Sequence, residues 1–231
     1  ILPAVLLSDG PCVIENLPDI SDVSTILRTM QSLGAQIRMI NRSTVEIDPR
    51  HVNSFVVSKK MAEGMRASSY FLALLGRMLR ARVAPPGGCD FGVRPIDQHI
   101  KGFEALGAKM TIENGMVDAK AMSLTGCLIY LDVVSVGATI NIMLAAAKAD
   151  GLTIIENAAR EPHIVDLANF LNSMGANIMG AGTGVIKIRG VKHLSGADYS
   201  IIPDQIEAGT YMAAAVATRG DILVTNVNPK H

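Results

Sequence analysis

Apolar residues in this chain follow two periodicities that alternate at regular intervals, and the stretch from 139 to 188 shows the alternation most fully. Thr139 to Ala149 is an Ala-rich, almost unbroken apolar run, the pattern of a helix covered on every side. Thr153 to Ile155 is β-branched and short, and predicts a strand. Pro162 to Met174 spaces its apolar residues three and four apart, which predicts an amphipathic helix ending before Gly175. Ala176 to Met179 and Gly184 to Ile188 then read as strands. Earlier, Pro95 suits the first turn of a helix and Asp97 its positive end. That helix buries Ile96, Ile100, Phe103 and Leu106 and stops at Gly107. An apolar helix is also predicted over Tyr70 to Leu79, with Ser68 or Ser69 available to cap it.

This order of elements repeats. Gly10-Pro-Cys-Val-Ile-Glu-Asn16 returns as Gly151-Leu-Thr-Ile-Ile-Glu-Asn157 and as Gly220-Asp-Ile-Leu-Val-Thr-Asn226, with asparagines 141 and 69 residues apart. Leu33-Gly34-Ala35, Leu106-Gly107-Ala108 and Met174-Gly175-Ala176 form a second marker, at spacings of 73 and 68. A unit near 70 residues exceeds the ~20–50 of common solenoid repeats, so the expectation is a pseudo-symmetric α/β domain rather than an open array. By this register, Ile1 to Gly10 matches the end of a first helix, and Asp204 to Thr218 opens a fourth unit that breaks off at His231. The expected organisation is a domain over 1–203, its first unit shortened, and the beginning of a second over 204–231.

Charge narrows the function. Twenty-one basic residues balance twenty-one acidic ones, where a nucleic-acid protein carries a basic excess or stripe. Arg77, Arg80 and Arg82 then read as a solvated face. No apolar run approaches the ~18 residues that cross a bilayer, and the expectation is that no signal peptide lies within the given sequence, which starts at Ile1 with an upstream part removed. Cys12, Cys89 and Cys127 are odd in number and lack C-x-x-C spacing, so the expectation is reduced thiols in a cytoplasmic protein, with no metal site and no cofactor. Met143 and Met174 fall on helix core positions and read as packing.

Candidate chemistry concentrates in Pro86-Gly-Gly-Cys-Asp-Phe-Gly-Val-Arg-Pro-Ile-Asp-Gln-His99. Glycines around Cys89 let the backbone approach a ligand, and Arg94 adds a fixed cation five residues on. A cation and a helix start both lower a thiol pKa, so Cys89 reads as a reactive thiol, against the common alternative of a small buried apolar residue. Cys12 in its Val-Ile strand is structural, as is Cys127. Arg66 before the 70–79 helix, and Ser135-Val136-Gly137 opening another, are places where free amides receive phosphate oxygens; a plain cap and a solvated arginine are the alternatives. His99 reads either as a packed or as a functional imidazole.

Four motifs together, Pro86 to His99, Ile100-Lys-Gly-Phe-Glu-Ala-Leu-Gly107, Tyr130-Leu-Asp-Val-Val-Ser-Val-Gly-Ala-Thr139 and Ile155-Glu-Asn-Ala-Ala-Arg-Glu-Pro162, resemble the enolpyruvyl transferase family along the whole chain. Within it they are most similar to the branch that acts on UDP-N-acetylglucosamine at the start of bacterial peptidoglycan synthesis. The resemblance implies an inside-out α/β prism of βαβαββ units, and transfer of the enolpyruvyl group from phosphoenolpyruvate to the sugar 3-hydroxyl with release of phosphate. It implies Cys89 as proton donor, covalent adduct site and fosfomycin target, and Arg66 and Arg94 as ligands of the anionic substrates. Pro95, Ile96, Asp97 and Gln98 would cradle the uridine, and Ser135, Val136 and Gly137 would lie near the diphosphate. Gln98 stands where many members have leucine, and Val133 where some have a lysine. The implied partners are UDP-N-acetylglucosamine, phosphoenolpyruvate and a second domain, with no nucleic acid and no membrane. Two alternatives stand beside this: a half-enzyme that at best binds the sugar nucleotide weakly, and an EPSP synthase-type transferase.

Overall fold

The computed structural model describes residues 1–62, 65, 67–85 and 95–231. Its first unit holds α1 (Leu2–Val5), β1 (Cys12–Glu15), α2 (Ser21–Ser32), β2 (Gln36–Asn41) and β3 (Thr44–Asp48). The second holds β4 (Val56–Val57), α3 (Lys59–Ala62), a 3-10 helix (Ser68–Ala73), α4 (Leu74–Met78), β5 (Arg80–Val83), α5 (Asp97–Ala105), β6 (Lys109–Glu113) and β7 (Met116–Lys120). The third runs through β8 (Leu128–Tyr130), α6 (Val136–Ala146), β9 (Leu152–Glu156), α7 (Pro162–Ser173), β10 (Asn177–Met179) and β11 (Val185–Arg189). β12 (Asp198–Ser200) and α8 (Gln205–Thr218) follow.

Three four-stranded sheets share one internal order: β12-β1-β3-β2, β4-β5-β7-β6 and β8-β9-β11-β10. In each, a short parallel edge strand leads, a central strand pairs antiparallel with the second arm of a hairpin, and the first arm closes the other edge. The leading strands β4, β8 and β12 are too short to announce themselves by alternation, and the apolar pattern misses them. β12 returns to the first sheet, Ile14 opposite Tyr199, so the end of the third unit completes the first.

The two sequence markers have physical causes. Gly34, Gly107 and Gly175 adopt φ of 108°, 97° and 101°, and the alanine after each donates back across the helix end, to Met30, Phe103 and Leu171, at 3.0 Å every time. These are Schellman caps, which need a residue without Cβ at the left-handed position. Asn16, Asn157 and Asn226 are left-handed too, at φ of 60°, 56° and 54°. Asparagine tolerates that conformation. Asn16 donates to the Ile201 carbonyl and Asn157 to the Leu131 carbonyl, both at 2.8 Å, tying the end of a central strand to its parallel neighbour. In the second unit Pro85 stands at this place, immediately before the glycine-rich segment that carries Cys89.

α1 is wholly buried, and α6 buries Ala138, Thr139, Asn141, Ile142, Met143, Leu144, Ala145 and Ala146. They share one apolar core with the inward residues of all three sheets, among them Ile14, Ile47, Val83, Val117, Ile155 and Ile188. Cys12 lies in it, Sγ 3.9 Å from Met174 Sδ, and burial raises its thiol pKa. Met143 and Met174 are core as expected, whereas Met39, Met122 and Met179 are exposed.

Several expectations change. The helix expected over Tyr70–Leu79 divides into the 3-10 turn and α4, and no serine caps it: Ser68 Oγ turns inward and donates to the Ala84 carbonyl at 3.1 Å. Arg77 is not part of a solvated face, because it donates to the carbonyls of Leu6 and Ser8 at 3.1 and 2.7 Å, holding the first segment to α4. Arg80 stacks on Phe55 at 4.5 Å. Pro95 lies outside α5, whose N-cap is Ile96. Ile96 and Ile100 are only half-buried, while Phe103 and Leu106 are core and Gln98 and His99 join them on the buried face. Close approach at Gly102 explains this: an added Cβ would sit 2.3 Å from Ile142 Cδ1, so α5 presses its glycine side onto α6.

Asn157→Ala should lower stability by about 2 kcal/mol, combining left-handed strain with a lost hydrogen bond, and Asn157→Gly by less because glycine relieves the strain. Thermal or urea unfolding of the three chains measures the order; equal losses would refute the left-handed assignment.

Candidate functional site

The starts of α5 and α6 meet, and the loop after β8 runs between them. At α6, Ser135 is an extended N-cap whose Oγ accepts from Ala138 N at 3.3 Å, so the helix begins three residues earlier than its apolar run suggested. Thr139 Oγ1 donates to the Ser135 carbonyl at 2.8 Å and accepts from Ala159 N at 3.1 Å, which fixes this first turn to the loop after β9. At α5, Asp97 is exposed in the first turn, where the helix dipole favours a carboxylate.

Between them lies Asp132. Gln98 Nε2 donates to Asp97 Oδ2 at 3.0 Å and to Asp132 Oδ2 at 3.2 Å, and Gln98 Oε1 accepts from Asp132 N at 3.0 Å. Lys101 Nζ reaches Asp132 Oδ1 at 2.7 Å. The hydrogen bond from Gln98 holds the Asp97 carboxyl below the usual carboxylate range. Those from Lys101, then Gln98, do the same for Asp132. Both are therefore anionic near neutrality. His99 packs under the start of α6, so close that a Cβ on Gly137 would lie 2.8 Å from its Nε2. The imidazole is only 8% exposed and its Nδ1 has no hydrogen-bond partner; burial lowers its pKa and keeps it neutral.

Of the residues singled out from sequence, Pro95, Ile96, Asp97, Gln98, Ser135, Val136 and Gly137 thus gather along one edge. Cys89, Arg94 and Arg66 lie outside the described residues. Pro85 and Ile96, on either side of 86–94, line one apolar cavity of about 20 Å³ with Ser69, Leu72, Val83, Ala84 and Val117. Asp132 and Lys101 were missed. Lys101 stands one turn after Gln98 and Asp132 lies in a quoted motif, but their pairing spans 31 residues and has no local signature. Among the described residues no cluster of His, Cys, Asp or Glu could hold a metal ion.

The sequence matches, over residues 1–231, the family model described as EPSP synthase (3-phosphoshikimate 1-carboxyvinyltransferase). The chain belongs to the EPSP synthase family. Among relatives in this family, it is 59% identical over 232 residues to UDP-N-acetylglucosamine 1-carboxyvinyltransferase 3 of Caldanaerobacter subterraneus subsp. tengcongensis, covering 100% of this chain and 55% of the relative. It is 57% identical to UDP-N-acetylglucosamine 1-carboxyvinyltransferase of Clostridium botulinum, again across 100% of this chain and 56% of the relative. The chain therefore spans about half the length of the curated relatives it matches. The family fold is equally plain in solved structures. The enolpyruvyl transferase NikO from Streptomyces tendae superposes with a TM-score of 0.80 at 24% identity, over 93% of this chain and 51% of that one. EPSP synthase from Acinetobacter baumannii gives 0.69 at 18%, over 93% and 50%. The inside-out α/β prism of repeated units expected from the motifs is the fold found.

Two outcomes test the geometry. Gly137→Ala should cost about 1–3 kcal/mol of stability, because the new methyl overlaps His99 in a packed site; thermal unfolding measures it, and an unchanged midpoint would refute the contact. For His99 the unfolded chain, titrating near 6.5, takes a proton that the folded chain refuses, so stability falls as pH drops through that value. Melting temperatures taken from about pH 7 to 5 should decline, and His99→Asn should flatten the decline.

Proposed function

We propose that a protein carrying this chain at the full length of its relatives transfers the enolpyruvyl group of phosphoenolpyruvate to the 3-hydroxyl of UDP-N-acetylglucosamine, an early step of peptidoglycan synthesis. The observation that carries this reading is identity of 51–59% across the whole chain to proteins bearing that activity in their name. Site geometry supports it: a capped helix start at Ser135 to Gly137 offers free amides for phosphate oxygens, beside an anchored α5 start.

In this reading Cys89 protonates the phosphoenolpyruvate methylene as the sugar oxygen bonds to C2 and gives up its proton. Loss of a methyl proton and cleavage of the C2–O bond to phosphate then restore the double bond. Arg66 and Arg94 hold the substrates' negative charge as it shifts, which fixed cations do without reorganising. Pro95, Ile96, Asp97 and Gln98 form the nucleoside side, and Ser135, Val136 and Gly137 the diphosphate side.

The domain division at 203/204 belongs to the same proposal. β12 completes the first sheet just before Pro203, whereas α8 buries only Ala208 and exposes Ile206, Tyr211, Met212 and Val216. A second domain covering that face and closing the cleft is the natural complement. The 231-residue chain alone would then bind the sugar nucleotide weakly and turn nothing over. A cytoplasmic location fits these substrates, and no helix among the described residues is long and apolar enough to cross a membrane.

Phosphate release from phosphoenolpyruvate should require UDP-N-acetylglucosamine and disappear in Cys89→Ala. Fosfomycin should add its mass at Cys89. Labelling of Cys12 or Cys127 instead, or full turnover by the alanine variant, would overturn the role given to this thiol.

A further inference from the structure

Gln98 is a polar side chain in the first turn of α5, yet only 6% of it is exposed. A buried carboxamide needs partners for both its donors and its acceptor, and here all are engaged. The NH2 group donates to Asp97 and to Asp132, and the oxygen accepts from the Asp132 backbone. One neutral side chain therefore keeps two like charges side by side and pins the loop after β8 to α5. Lys101 secures the outer oxygen of Asp132. Three residues beyond Asp132 the same loop becomes the Ser135 cap of α6, so the pin also sets where α6 begins.

We propose that Gln98 is a positioning residue that sets the spacing between the starts of α5 and α6 and thereby governs the affinity for the sugar nucleotide without touching the reacting atoms. This rests on the functional reading above, which gives those two helix starts to the nucleoside and the diphosphate. The chemistry of the position admits few substitutes. Glutamate would offer the acceptor but add a third negative charge between two carboxylates. Lysine would donate to both carboxylates but leave the Asp132 N–H without a partner, and methionine keeps the length with neither function.

The test is steady-state phosphate release by the full-length protein, varying UDP-N-acetylglucosamine and phosphoenolpyruvate separately. Gln98→Met should raise KM for the sugar nucleotide about tenfold, near the effect of one lost charge-assisted hydrogen bond, with KM for phosphoenolpyruvate unchanged and kcat within about twofold. Gln98→Glu should raise it further, and adding Asp132→Asn to that variant should bring it back toward wild type. This rescue is a readout that simple loss of packing would not give, and it decides the matter if the methionine variant fails to fold. An unchanged sugar-nucleotide KM in the variants, or both KM values and kcat moving together without rescue, would overturn the proposal alone. A wild-type protein without turnover would overturn the functional reading, and this inference with it.

Discussion

The fold depends on helices that have no side fit for water. α6 buries residues on every side, Thr139 and Asn141 included, and α1 is buried throughout. Such a helix is stable only when other elements cover it completely. Three sheets supply inward residues to that one core, and α5 and α7 pack against α6. One large apolar cluster follows, with Ala62, Ala84 and Met116 forming a small separate one among the described residues. The pseudo-symmetry is the economical solution: one unit repeated, each presenting a sheet outward and an apolar face inward.

Symmetry also explains where chemistry is possible. In the first and third units a left-handed asparagine closes the end of the central strand and returns the chain directly to its next helix. At the matching place in the second unit stand Ala84 and Pro85, followed by the glycine-rich, cysteine-containing segment. The repeat of sequence is thus broken at this one place, after Pro85, where a segment of different composition follows. Close packing of α5 on α6 at Gly102, and of His99 under Gly137, keeps the two helix starts together.

Much of this was legible along the chain. The Gly-Ala and asparagine markers were read as repeats, and they prove to be caps and left-handed turns whose conformations only certain residues tolerate. The helices and strands of the third unit were found within a few residues, because their apolar periods are long and clean. Errors arose where a local rule met a tertiary competitor. Ser68 could cap a helix but binds the Ala84 carbonyl across 16 residues, and Arg77 could face water but holds the end of α1. Gln98 was placed with the uridine cradle by resemblance alone, and its bond to Asp132, 34 residues on, has no local signature.

Residue by residue, then, the chain by itself determined its repeat, most of its element types and the residues able to turn left-handed, since each follows from covalent geometry and short-range periodicity. Only the tertiary structure decided which helix starts face one another, that Asp132 and Lys101 join Gln98, and that His99 lies buried and neutral beneath Gly137. Those outcomes are set by contacts between residues about 30 or more positions apart, whose energies come from packing and shared desolvation, and no local pattern encodes them.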